Sequence, residues 1–136
     1  MIAIVEERPP RVVKGPLELE QLRLYAEASG DFNDVHLNME SARRAGVENV
    51  FAHGMLTMSF AAQVATQWLG PASVRRIAVR FLAPVRLGDT IVCDGRVVRE
   101  TVSSDGRGRQ RDIEVTASNG RGELVLSGVI AAASDE

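Results

Sequence analysis

Cysteine is almost missing from this chain. Cys93 is the only one in 136 residues, so no disulfide can form within it. A lone thiol in an alternating apolar stretch behaves as a small buried hydrophobe, and the expectation is a reducing, cytoplasmic setting. Aromatics are scarce at 4%, so aliphatic side chains must fill the core. There is no excess of positive charge: 16 Lys and Arg stand against 18 Asp and Glu, a net charge of -2, which removes the electrostatic reason to expect nucleic acid as a partner. Long hydrophobic runs are missing too. The longest helix-like apolar stretch, Met55–Leu69, is interrupted by Thr57, Ser59, Gln63, Thr66 and Gln67, which suits a core helix better than a membrane span. The start is apolar only as far as Val5 before Glu6, Glu7 and Arg8, too short and too acidic for a signal peptide. The length suits one domain with one core over residues 1–136.

What is present divides into a loop-and-helix half and a strand half. Residues 2–14 are expected to hold a short strand or an extended arm, broken by Pro9 and Pro10. Leu22, Tyr25, Ala26 and Ser29 recur at helical spacing within 17–29, with Gly30 as the stop. Residues 30–37 read as a loop, and Asn38 as the N-cap of a short helix over 39–45 that Gly46 ends. A second loop, 47–54, leads into Met55–Leu69, apolar almost all round and so buried on most sides. Beyond residue 73 the period changes to two, in strands around 77–81, 90–99, 113–117 and 124–130, joined by turns at Leu87-Gly88-Asp89, Ser104–Gly108 and Asn119-Gly120. The simplest architecture is α+β, an antiparallel sheet wrapped around one buried helix.

Both histidines of the chain, His36 and His53, lie in short loops just before helices. Histidine is the side chain whose ordinary pKa lies nearest neutrality, so this window is the place to look for chemistry. The loop Ser29-Gly30-Asp31-Phe32-Asn33-Asp34-Val35-His36 spaces a carboxylate, an amide and an imidazole. Water is a weak nucleophile, and a carboxylate with an imidazole aimed at one water can share the removal and delivery of its proton. Asn33 would hold the water or the loop. Spacing alone serves a structural reading as well, with Asp31 and Asn33 making Asx turns and His36 packed in the loop. The second constellation, Ala52-His53-Gly54-Met55, opens the buried helix. A backbone N–H at a helix N-terminus suits an oxygen that gains negative charge, and Gly54 presents no side chain to block it. Here the structural reading is a tight turn at Gly54 with His53 bracing the loop.

At these two motifs the sequence resembles the MaoC-like, or (R)-specific enoyl-CoA hydratase, family, whose pattern is a Gly-Asp-x-Asn-Pro-x-His loop followed by a His-Gly-Met/Leu helix start. The segment Val79-Arg80-Phe81-Leu82-Ala83-Pro84-Val85-Arg86-Leu87-Gly88-Asp89 also matches that family's strand pattern, and the likeness covers about residues 18–98. The resemblance implies a single hotdog domain. It implies hydration of trans-2-enoyl-CoA or acyl-carrier thioesters to (R)-3-hydroxyacyl thioesters, or the reverse dehydration. Asp31 and His36 would activate the water, the Gly54 N–H would polarise the thioester carbonyl, and Asn33 would orient the loop; His53, from its own place just before the helix, reads as a supporting residue and not a catalytic one. The resemblance further implies pairing through the sheets, as a homodimer or as a heterodimer with a second hotdog chain. No cofactor and no metal is expected. Asp34 stands where the family's pattern has Pro, which frees φ and adds a carboxylate that would favour the imidazolium of His36 if the two are close.

Two other readings compete. One is a hotdog acyl-CoA thioesterase, whose relatives often carry an acid on the central helix, whereas Met55–Leu69 has none. The other is the active subunit of a heteromeric hydratase whose partner supplies the acyl pocket. Arg107, Arg109 and Arg111 read as a solvated hairpin tip, Trp68 as core, and Arg75, Arg76, Arg80 and Arg86 as possible phosphate contacts among which sequence does not choose.

Overall fold

The computed structural model describes residues 8–135. In chain order these hold β1 (Val12–Lys14), α1 (Leu19–Ser29), a 3-10 turn (Asp34–His36), α2 (Met39–Arg44), α3 (Gly54–Leu69), β2 (Val74–Phe81), β3 (Ile91–Val102), β4 (Arg109–Ser118) and β5 (Leu124–Ser134). The early strand is the segment just after Pro9 and Pro10; the rest of the expected 2–14 arm, residues 2–7, lies outside the described residues.

The strands form one antiparallel sheet in the order β1-β3-β4-β5-β2. Its register lines up Val97, Ile113, Ile130 and Ile77 across four strands, an aliphatic row that takes the place of the missing aromatics. Helix α3 crosses this face and touches all five strands. Leu56, Phe60, Ala61, Val64 and Ala65 are its buried apolar residues, and each large one contributes roughly 1.5–3 kcal/mol by leaving water. The approach is close at Gly95 of β3. A Cβ there would stand 2.6 Å from Val64 Cγ1 and 2.9 Å from Pro9 Cγ. The architecture is the α+β hotdog arrangement, a sheet wrapped around one helix.

Local signals held where they rested on backbone chemistry. Gly30 ends α1 in the left-handed region at φ 78°, and the Asn38 side chain caps α2 by accepting from the Ser41 N–H at 3.1 Å. The strands run longer than the alternation alone marks them. The β4–β5 turn also differs from a two-residue Asn-Gly hairpin: the left-handed glycine is Gly122, and the buried Asn119 side chain accepts from the Arg121 and Glu123 N–H groups.

The basic cluster requires correction. Arg107 sits in the exposed hairpin tip, but Arg111 is buried in β4, its guanidinium 5.2 Å over the Trp68 ring and its Nη1 donating to Ser134 Oγ. Arg109 lies beside Glu100 at 3.3 Å. Among the described residues no helix is long and apolar enough to cross a membrane.

The functional loops are tied to the sheet by a short strap. The Ala52 N–H donates to the Val85 carbonyl at 2.7 Å, and Phe51 forms a β-bridge with Arg86. The strap therefore hangs between the 3-10 turn and the start of α3. Because α3 rests so closely on Gly95, Gly95→Val is expected to overpack this contact and destabilise the chain by about 1–3 kcal/mol, read as a lower denaturation midpoint with an unchanged slope.

Candidate active site

The loop 29–36 is organised by its own side chains at every second residue. Ser29 Oγ accepts from the Asp31 N–H, Asp31 Oδ1 from the Asn33 N–H, and Asn33 Oδ1 from the Val35 N–H, each at 3.2 Å. The structural reading of Asp31 and Asn33 as Asx-turn residues therefore holds. It does not consume Asp31, because Oδ2 remains and lies 3.9 Å from His36 Nε2. Asn33 turns its amide oxygen to the backbone of the 3-10 turn, so its part is to shape the loop.

His36 is 8% exposed, and Asp31 keeps about half of its side chain in solvent, at 51%. The His36 Nδ1 lies 2.8 Å from the Phe51 carbonyl oxygen. A carbonyl can only accept, so Nδ1 carries the proton, and in the neutral ring Nε2 presents its lone pair. At 3.9 Å the carboxylate and the imidazole are too far apart to bond each other and near enough to share one water. Burial pushes the His36 imidazole below its ordinary value of 6.5; the bond to Phe51 opposes this, the neighbouring His53 adds to it, and the Asp31 charge opposes it. The balance favours an uncharged ring near neutrality, the state that can take a proton.

Asp34 does not act as the sequence suggested. It is exposed at the first position of the 3-10 turn, and the groups that move the His36 imidazole are Phe51, His53 and Asp31.

His53 is 1% exposed and stacks on His36 with ring centroids 4.0 Å apart; on its other side Tyr25 stacks at 4.8 Å. Gly54 follows as the first residue of α3, where the first backbone N–H groups have no partner within the helix. A Cβ on Gly54 would come within 3.1 Å of the Phe81 ring. Gly54 also lines a cleft of about 330 Å³ with Phe51, Ala52, Thr57, Phe81 and Val85 among its walls. Its lining side chains are apolar apart from the Thr57 hydroxyl, and the rest of its polar surface is backbone. Asp31 and His36 are not among its walls; they lie beyond the strap, joined to it through Phe51.

Asp31, His36 and His53 have possible ligand atoms within 4.8 Å of one another, the geometry of a candidate cation site. Their orientation does not suit one. The two imidazoles are stacked at 28°, so their in-plane lone pairs run side by side instead of meeting about 2 Å from a shared ion. The donor set suits proton transfer better.

The fold brings the candidates named from the sequence, Asp31, Asn33, His36, His53 and Gly54, to one end of α3. Tyr25 and Phe51, which contact the two histidines, were not among those candidates. Tyr25 shares the helical face of the buried Leu22 and Ala26, which was a usable signal; Phe51 acts through its backbone carbonyl, for which a sequence offers none.

With this geometry in hand, comparison with known proteins is decisive for the family. The profile of the MaoC like domain matches residues 3–120. The chain belongs to the MaoC-like domain family. Among relatives of this MaoC-like chain, the mitochondrial 3-hydroxyacyl-[acyl-carrier-protein] dehydratase of Arabidopsis thaliana is 38% identical over 73 residues, 54% of this chain and 44% of that protein. The (R)-specific enoyl-CoA hydratase of Rhodospirillum rubrum is 37% identical over 70 residues, 50% of this chain and 49% of that protein. The matched part of the MaoC-like chain thus spans less than half of either relative. The unliganded R-hydratase PhaJ1 of Pseudomonas aeruginosa superposes with a TM-score of 0.83 at 25% identity, covering 98% of this chain and 84% of that one.

NMR titration of His36 in this MaoC-like domain, assigned with His36→Gln, is expected to give a midpoint below 6.5. The unfolded chain then takes the proton first, so the His36 contribution to stability is lost as pH falls from 6.5 through the folded-state midpoint. A midpoint at or above the free imidazole value would contradict the burial argument.

Proposed function

We propose that this chain catalyses the hydration of trans-2-enoyl thioesters of CoA or an acyl carrier to (R)-3-hydroxyacyl thioesters, and the reverse dehydration. The observation that carries this reading is the open pairing of Asp31 Oδ2 with His36 Nε2 at 3.9 Å, with the tautomer fixed by Phe51. In the hydration direction a water held between the two gives up a proton as its oxygen bonds to C3 of the enoyl group. The π electrons move toward C2 and the thioester carbonyl, whose oxygen gains negative charge opposite the Gly54 N–H. The proton returns to C2, so the elements of one water add across the double bond and nothing is oxidised or reduced. A preorganised backbone donor acts without reorganising at the moment charge develops. Delivery of both groups from one water gives syn addition.

The relatives named above, a dehydratase and a hydratase of acyl thioesters, lend support to the reaction class. A thioesterase reading is less favoured because α3 carries neither Asp nor Glu. The assembly we favour is a pair of hotdog domains, homodimeric or with a second hotdog chain. β2 occupies a sheet edge, and Phe81 and Leu82 are exposed at its end, where a second sheet would cover them. We take the setting to be cytoplasmic and the reaction to require neither metal nor cofactor.

Purified chain with crotonyl-CoA or a longer enoyl-CoA is expected to bleach the absorbance of the conjugated thioester. Asp31→Asn keeps the oxygen that accepts the Asn33 N–H and removes the charge, and His36→Ala removes the base; each is expected to lower the rate at least ~10²-fold. Wild-type turnover in both would refute the mechanism. The Gly54 amide admits a separate test. Proline is tolerated at the first position of a helix and has no N–H, so Gly54→Pro is expected to fold yet lose roughly 10²–10³-fold in kcat. Gly54→Ala adds the same Cβ beside Phe81 but keeps the donor, so a larger loss in Gly54→Pro than in Gly54→Ala reads the amide itself.

A further inference from the structure

We propose that His53 is a positioning residue that holds the acid–base loop and the amide-bearing helix in one register. It grips the Asp31 backbone with its ring N–H and the His36 ring with its face. This rests on the hydratase reading and adds a role for a residue that touches neither water nor thioester.

Three contacts converge on this side chain. Nε2 lies 3.0 Å from the Asp31 carbonyl oxygen, so it carries a proton and donates across 22 residues of chain. One ring face lies against His36, with centroids 4.0 Å apart, and the other against Tyr25 of α1, 4.8 Å away and within 6° of parallel. The backbone carbonyl of His53 accepts from the Leu56 and Thr57 N–H groups at 3.0 and 3.3 Å, so the same residue begins α3 immediately before the Gly54 amide. Movement of this ring would shift the carboxylate, the imidazole and the thioester-binding N–H relative to one another.

Simpler roles do not explain a histidine here. As an N-cap it is poorly used, because its side chain makes no capping bond to the first turn; Ser, Asp or Asn would serve better. As core filling it is costly, because Nδ1 is buried with no hydrogen-bond partner, an expense that a phenyl ring avoids. A flat face and an N–H at this reach are both supplied by imidazole. The titratable groups about His36 are Asp31 on the loop, His53 at the helix start and, behind it, Tyr25 of α1; Asp34 on the 3-10 turn is exposed.

Two substitutions divide the functions. His53→Phe keeps the stacking face and loses the donor; His53→Gln keeps an N–H at similar reach and loses the face. Each is expected to lower kcat for enoyl-CoA hydration by ~10-fold or more with KM within about twofold, as misplacement of reacting groups does. In His53→Gln the NMR titration of His36 should also move to higher pH, because its sheltering neighbour is gone. Wild-type kcat together with an unmoved His36 titration in folded variants would overturn the proposal, as would a loss confined to thermal stability. If neither variant folds, Tyr25→Leu loosens the stack from the far side. It is expected to lower kcat in the same direction, and an unchanged kcat and titration there would be equally fatal. An inactive wild-type protein would refute the hydratase reading, whereas the His36 titration would still decide whether His53 governs that ring.

Discussion

The Phe51 carbonyl accepts the Nδ1 proton of His36 at 2.8 Å, and the geometry of the whole site follows from that bond. It selects the tautomer in which Nε2 is bare, aims that nitrogen toward the Asp31 carboxylate, and anchors the 3-10 turn to the strap ahead of α3. The strap has its own anchor: the neighbouring Ala52 N–H reaches the Val85 carbonyl on the segment after β2. A chain of backbone contacts therefore runs from the sheet, through residues 51 and 52, to the imidazole. Rigidity in a loop of this kind comes from satisfying its backbone groups, and here the functional ring supplies one of the bonds that do so.

The burial of His36 would be a liability if the ring had to hold charge. It is useful for an acceptor of protons, since desolvation is the largest influence and favours the neutral form. Asp31, half exposed, keeps contact with solvent. Two groups with opposite surroundings therefore sit 3.9 Å apart, the arrangement that lets a pair divide acid and base work. Coulomb attraction between them works against the desolvation of His36, so a shorter separation would favour a closed ion pair and shut out the water.

The fold and much of the site were legible because they rest on periodicity and on local chemistry. Asp31, Asn33 and His36 share one loop, and Gly54 opens a helix whose apolar pattern is unbroken enough to mark it as buried. What was not legible arises from tertiary contact. Tyr25 meets His53 across 28 positions, and no spacing rule joins them. Arg111 illustrates a signal that was present and read too narrowly. It has the same parity as Ile113, Val115 and Ala117, which places it on the inner face of β4, and Trp68 at the end of α3 lies within reach of its guanidinium. Asn119 continues that parity and is buried as well, which is why its side chain organises the β4–β5 turn from within. Reading the cluster Arg107, Arg109 and Arg111 as one charge run hid the difference between a residue at the tip and one on the core face.

The replacement of the family's proline by Asp34 can be judged on the same terms. Proline would stiffen the loop by fixing φ at the first position of the 3-10 turn. This chain obtains stiffness elsewhere, from the acceptors Ser29, Asp31 and Asn33 that each hold the N–H two residues on. An acid at the first position of a helical turn is also favourably placed toward its free N–H groups. Because Asp34 points to solvent and is absent from the influences on His36, its carboxylate leaves the acid–base pair undisturbed. The loop's shape then depends on Asp31 itself: one carboxylate oxygen builds the turn while the other faces the imidazole. A substitution that removes both oxygens, Asp31→Ala, would confound loss of charge with loss of loop geometry. The amide replacement keeps the turn and removes the charge, which makes it the informative variant for chemistry at this position.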